Sequence, residues 1–304
     1  MAVPDPNHED RVGLAFALAG FALLSVGDAV VKTMAGEWPP SAIAALRYVI
    51  GAAGLSAILF AREGPAGFRI AAPRLQLVRG LAVAVATVCF FGSLFLMSLA
   101  EATTIIFASP LITGLLAPLL LKEKARSTTW IASAVAFVGV LIVLRPNVAE
   151  IGLPAFLPLI VAFAMSALFM ANRAAAGRAS PLAMQAWLAL VAAPILVVAT
   201  VAGHLSGFAP LLVPVPSVDV LAKCAFVALS ASTAHWLIYL GTTRAGAASI
   251  APMTYVQLVV ATILGWWWFA DRPDAATLLG AAIIIGAGLY LWHAGRARPH
   301  RAIN

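Results

Sequence analysis

The sequence predicts an all-α membrane protein of ten transmembrane helices, arranged as two inverted five-helix repeats. Three observations carry that prediction. The 304 residues are 62% hydrophobic and only 10% charged, with a mean hydropathy of +0.99. Apolar runs recur along the whole chain, each near the ~20 residues that a bilayer crossing needs. Landmarks of the first half return in the second half in the same order. A soluble chain carries about 25% charged residues, so a water-soluble enzyme and a disordered chain are excluded. A nucleic-acid binder is excluded too, because the +7 charge is scattered over loops with no basic stripe. The apolar runs are continuous and do not alternate, which excludes a β-barrel.

Charge, proline and glycine clusters divide the chain into spans at 12–34, 39–61, 75–98, 102–121, 128–144, 152–172, 181–203, 219–241, 247–270 and 275–293. Residues 1–11 form an acidic tail without the basic start and cleavage site of a signal peptide, so span one is expected to be retained. Trp38-Pro39-Pro40 separates spans one and two, and Arg62-Glu63-Gly64-Pro65 ends span two. Only Ser98-Leu99-Ala100-Glu101 separates spans three and four, which predicts a tight hairpin. Lys122-Glu123-Lys124 and Arg145-Pro146-Asn147 bound span five. A second tight hairpin is expected around Thr242 to Gly246, and Asp271-Arg272-Pro273-Asp274 closes span nine. Residues 12–146 then form the first repeat and 147–293 the second, with a basic tail at 294–304. Cys89 and Cys224 lie inside apolar runs and read as small core residues.

Lysine and arginine orient such a chain. With the N-terminus inside, thirteen fall on inner segments, in the groups at Arg11, Arg62 to Arg74, Lys122 to Arg126, Arg173 and Arg178, Arg244, and Arg296 to Arg301. Only Lys32, Arg145, Lys223 and Arg272 fall at outer ends. Both termini are therefore expected in the cytoplasm, in a bacterial inner membrane.

The repeat is read from paired landmarks. Leu120-Leu121-Lys122-Glu123 ends span four, and Phe269-Ala270-Asp271-Arg272 ends span nine. Ala102-Thr103-Thr104-Ile105 parallels Ala247-Ala248-Ser249-Ile250, and Pro40-Ser41 parallels Ser180-Pro181. Five spans per copy is an odd number, so the second copy sits upside down. Inverted repeats are a transporter architecture with the site near the midplane.

The run from Ala102 through Ser109-Pro110-Leu111, then Leu119 to Lys124, then Gly139 to Arg145-Pro146, resembles the drug/metabolite transporter superfamily, in particular its EamA-type members. Ala45-Leu46-Arg47-Tyr48 and the tight hairpin fit the same pattern, over about residues 12–293. The second-half copy departs from it by carrying Asp271 where the family usually has Glu. Gly27-Asp28-Ala29-Val30-Val31-Lys32 resembles the branch containing bacterial S-adenosylmethionine and riboflavin importers. The resemblance implies a cavity surrounded by spans one to four and six to nine, with spans five and ten peripheral.

Charges inside lipid are costly and mark function by default. Asp28 and Arg47 lie at similar depth and can pair, and Lys32 follows Asp28 at i+4 on the same face. Lys32 can also snorkel to the headgroups, and Arg79 reads as an interfacial anchor. Asp28 is a candidate proton-coupling carboxylate. Span eight carries His235, Trp236 and Tyr239, and span nine carries Tyr255 and Gln257, the latter near mid-bilayer. Ser109 and Pro110 are positional counterparts in span four, where a proline kink would free backbone groups. Phe90, Phe107, Phe169 and Trp187 are candidate walls of the site, alone or as cation–π surfaces. Trp38, Trp130 and Trp266 to Trp268 read as an interfacial belt. The small-residue ladders at Ala132/Ala136 and Ala282/Gly286 predict that spans five and ten pack on each other or on a second copy in a homodimer.

No second His or Cys stands at metal-ligand spacing, and no metal or cofactor is expected. A polytopic membrane enzyme would need paired membrane carboxylates or a metal motif, and neither is present. The sequence therefore predicts transport of a small amphipathic metabolite by alternating access. Amino-acid export is the leading expectation, and uptake of S-adenosylmethionine- or riboflavin-like compounds is the alternative.

Overall fold

The computed structural model describes residues 6–70, 72–120, 127–175, 177–245 and 251–296. Among them there is no strand. The helices are α1 (Pro6–Lys32), α2 (Pro40–Glu63), α3 (Pro73–Leu94), α4 (Leu99–Ile106), α5 (Ser109–Leu120) and α6 (Ser127–Ile151). They continue with α7 (Leu157–Ala175), α8 (Pro181–Leu205), α9 (Val218–Ala245), α10 (Val256–Phe269) and α11 (Ala275–Arg296). Among the described residues, seven segments are long and apolar enough to cross a membrane. Three shorter apolar stretches, Trp130–Leu144, Met253–Phe269 and Ala275–Tyr290, fall on expected spans five, nine and ten. The expected turn at Lys122 to Lys124 lies outside the described residues; of the turn expected at Thr242 to Gly246, Thr242 to Ala245 instead continue α9, and Gly246 lies outside the described residues.

Local chemistry sets the boundaries. Pro40 opens α2 at a position whose N–H has no helical partner. Gly64 then ends it at φ 62°, a left-handed conformation that costs a residue with Cβ. The predicted hairpin between spans three and four is present: Ser98 caps α4. Its side chain accepts from the Glu101 N–H at 3.2 Å, while Glu101 accepts from the Ser98 N–H at 2.9 Å. Ser180 caps α8 in a similar way, accepting from Ala183 N–H at 3.0 Å. Span four is broken at Phe107–Ala108, immediately before Ser109-Pro110, as the proline predicted. The described part of span nine opens with a 3-10 turn over Ala251–Tyr255 that leads into α10.

The packing respects the repeat. α1 lies along α9, and α7 lies along α3. α2 pairs with α8, and α6 with α11. Exchanging the two halves carries this set of neighbours into itself, as an inverted repeat requires. The α1–α9 seam is built on glycine. A Cβ at Gly241 would sit 2.7 Å from the Gly13 carbonyl oxygen, and one at Gly20 would sit 2.8 Å from that of Ala234. In lipid, such close approach is what holds helices together.

The α6–α11 pair confirms that spans five and ten pack on each other, but through different residues on span ten. Ala132 and Ala136 are buried, and a Cβ at Gly280 would meet the Gly139 carbonyl oxygen at 2.7 Å. Ala282 and Gly286 instead face outward, because the buried stripe runs through Gly280, Ile284 and Ala287. One position is a rotation of about 100° on a helix, so the expected ladder lies off the seam.

One end of the bundle is sealed. Met34, Ile43, Leu94, Leu99 and Cys224 are fully buried there in one cluster. Trp38 belongs to this seal: its indole N–H donates to the Pro214 carbonyl at 3.0 Å, so it is not a belt residue. Trp130 and Trp266 to Trp268 are exposed, as a belt requires.

Candidate functional site

One turn before the end of α1 the chain must hold a carboxylate inside an apolar bundle. Asp28 accepts a hydrogen bond from the Gln257 side-chain amide at 3.4 Å, which joins α1 to α10. Gln257 is positioned in turn by its backbone, since its carbonyl accepts from Ser25 Oγ at 2.7 Å. Arg47 of α2 acts through space on both Asp28 and His235. It forms no ion pair with Asp28 among the described contacts, so the expected Asp28–Arg47 pair is corrected to a looser grouping. The guanidinium instead lies 5.4 Å from the Tyr48 ring centre and 5.5 Å from that of Phe91. Two aromatic rings flank the cation.

His235 of α9 completes the group and is exposed. Asp28, Arg47 and Gln257 are half-buried. Trp236, the next residue, is also exposed, with Arg62 stacked 5.5 Å from its ring. His235 lies seventeen residues from the start of α9, about 25 Å from the sealed end at 1.5 Å per residue. Four of the residues singled out in the sequence, from four helices and both repeats, come together here.

Others go elsewhere. Phe107 and Tyr255 sit at the two helix breaks and meet edge to face, with ring centres 5.5 Å apart. Tyr255 points at α11, where its hydroxyl fills the space above Gly288. Tyr255 is two residues from Gln257 and so projects from a different side of the helix. These two rings brace the breaks against the peripheral pair and do not wall the Asp28 group. Ser109 is buried, with its carbonyl accepting from Thr113 Oγ1 at 2.8 Å, and Pro110 is exposed. Phe90 is half-buried against Phe91, and Phe169 is 38% exposed on α7. The indole nitrogen of Trp187 is buried without a partner among the described residues. The side chain of Tyr239 lies outside the described residues.

Two lysine and arginine assignments change. Lys32 does not snorkel: its ammonium lies 2.5 Å from Asp271 and 3.0 Å from the Met97 carbonyl, with the Phe269 ring 5.1 Å away. Asp271 is aimed by its backbone. Ala270 takes φ 54°, and the Asp271 N–H turns back to the Gly265 carbonyl at 3.0 Å. Sequence reasoning noted Asp271 only as a repeat landmark; its spacing after the Trp266 to Phe269 run was the available signal. Arg79 is 2% exposed, so it is not an interfacial anchor. It donates to Asn172 Oδ1 at 2.5 Å, to the Met184 carbonyl at 3.0 Å and to Gln76, tying α3 to α7 and α8.

The model of the EamA-like transporter family matches residues 11–145 and, a second time, 152–292. The chain belongs to the EamA-like transporter family. A "Riboflavin transporter" of Rhizobium johnstonii is 29% identical to this EamA-like chain over 290 residues, covering 94% of the chain and 92% of the relative. An "S-adenosylmethionine uptake transporter" of Rickettsia bellii is 27% identical over 219 residues, 72% of each. A "Riboflavin transporter" of Brucella anthropi is 24% identical, over 90% of this chain and 95% of its own. A solved protein structure superposes with a TM-score of 0.64 at 22% identity, covering 93% of this chain and 98% of that one. At that identity the likeness speaks for the EamA-like fold.

Proposed function

We propose that this transporter takes up a small amphipathic solute built on a nitrogen heterocycle, of the kind that riboflavin and S-adenosylmethionine share. The observation that carries the reading is the Asp28–Gln257 edge beside Arg47 and His235. A carboxylate and an amide side by side present an acceptor and a donor next to each other. That edge matches the adjacent donors and acceptors of a purine or a flavin ring. The names of the relatives favour uptake over the amino-acid export that the sequence alone put first. The halves at 12–146 and 147–293 alternate about this site in a single chain. The lysine and arginine bias puts both termini in the cytoplasm of an inner membrane, and the sealed end then faces out.

Asp28 is also the coupling carboxylate in this reading, since a carboxylate in a lipid-embedded site is a natural proton carrier. The test is uptake into liposomes of labelled riboflavin, S-adenosylmethionine and phenylalanine, with and without a proton gradient. Saturable uptake of one of the two heterocycles is expected, lost in Gln257→Leu. Asp28→Asn should abolish gradient dependence and leave exchange. Transport of phenylalanine alone would return the reading to amino-acid export, and unchanged coupling in Asp28→Asn would remove the proton role.

A further inference from the structure

We propose that Lys32 couples the site to the seal by exchanging its partner between Asp271 and Asp28. The proposal rests on alternating access around Asp28 and is independent of which solute is carried.

Lys32 is the last residue of α1, and its side chain is 13% exposed. Its ammonium joins three elements at the sealed end: α1, the α3–α4 turn through the Met97 carbonyl, and the end of α10 through Asp271. The acceptor is fixed, because the left-handed turn at Ala270 holds Asp271 over the last turn of α10. Opening the seal moves α1 away from this acceptor. An ammonium that loses its carboxylate in a desolvated setting is strongly penalised. The seal can therefore open readily only if a second carboxylate waits within reach.

Asp28 is that carboxylate. It stands four residues earlier on the same helix, about 6 Å along the axis, and i,i+4 side chains lie over one another. Both side chains already face α10, Asp28 through Gln257 and Lys32 through Asp271. Asp28 is only loosely engaged here, by one long amide bond and the field of Arg47. One ammonium is thus shared between seal and site. When a solute or Gln257 occupies Asp28, Lys32 stays on Asp271 and the seal stays shut. When Asp28 is vacant, it captures Lys32 and the seal is released. Binding then closes the entrance behind the solute, which is the order alternating access requires.

Cys224 is a native reporter of the seal. It is fully buried, with its sulfur 3.9 Å from that of Met34 across the α1–α9 seam. The experiment measures the rate at which a charged thiol reagent labels Cys224 in the purified full chain in detergent, on a Cys89→Ala background. Lys32→Met should label several-fold faster, and Lys32→Arg near the parent rate. Asp28→Asn should label several-fold slower, because Lys32 loses its second partner. Gln257→Leu should label several-fold faster, because Asp28 loses its competitor. Opposite shifts in the last two variants separate partner exchange from general loosening. An unchanged rate in Asp28→Asn would make Lys32–Asp271 a static brace and overturn the proposal, as would an unchanged rate in Lys32→Met. If labelling shifts as stated while no heterocycle is taken up, the solute reading fails and the exchange stands.

Discussion

Gly241→Ala adds a single methyl group where α9 crosses α1. The new carbon would lie 2.7 Å from the Gly13 carbonyl oxygen, 3.0 Å from Ala17 Cβ and 3.1 Å from the Ala17 nitrogen. Carbon–oxygen contacts settle near 3.3–3.6 Å and carbon–carbon contacts near 3.5–4.0 Å. Two of the three opposing atoms are backbone, so no rotamer change relieves the clash. The helices must separate by roughly 0.5–1 Å, which forfeits a quarter to a half of each nearby dispersion contact. Overpacking of this kind costs about 1–3 kcal/mol. Thermal unfolding in detergent, followed by tryptophan fluorescence, should fall by roughly 2–4 °C per kcal/mol. Gly51→Ala is the control. Nothing lies within 4 Å of its added carbon, and replacing a helical glycine by alanine gains about 0.8–1 kcal/mol. The same chemical change should therefore destabilise at Gly241 and stabilise at Gly51. Shifts of the same sign at both sites would refute a glycine-set α1–α9 seam.

Ser98→Ala removes one half of the reciprocal cap on α4 and should lower stability by about 1 kcal/mol, read from the same melt. Arg79→Leu and Asn172→Leu break one network, so the double variant should melt close to the worse single rather than at their sum. Trp187→Phe deletes a buried N–H that has no partner among the described residues. It should leave the melt within about 1 kcal/mol of the parent, because removing an unsatisfied donor offsets the lost contact area. Ala270→Gly relieves a left-handed alanine and should raise stability by about 1 kcal/mol.

What was legible in the sequence was what lipid dictates. Span positions follow from apolar length, and the break at Phe107 follows from a proline. Asp28, Arg47, His235 and Gln257 stood out because polar groups are rare in such helices, and rarity needs no knowledge of packing. Partner choice was not legible. Lys32 and Arg79 lie near span ends, where snorkelling is the cheaper reading. Only the turn at Ala270 and the facing Asn172 show that each has a half-buried acceptor. The ladder on span ten failed for a related reason. Small residues recur so often there that several stripes fit, and only the neighbour selects one.

The two cationic ties occupy opposite ends of a pseudo-symmetric bundle. Arg79 joins α3, α7 and α8, while Lys32 joins α1 to the turn after α3 and to the end of α10. Exchange of halves turns the α3–α7 seam into the α9–α1 seam, yet at the sealed end of the latter Cys224 meets Met34 and the cation, Lys223, pairs at the exposed rim with Asp219 and Glu37. The repeat is thus symmetric in backbone packing and asymmetric in charge. Symmetric packing keeps the two access states near in energy. Unequal charge gives each state a different cost in desolvation, and in the proposed mechanism a solute on Asp28 is the quantity that tips it. An inverted repeat with identical charges at both ends would alternate without regard to whether its site were filled.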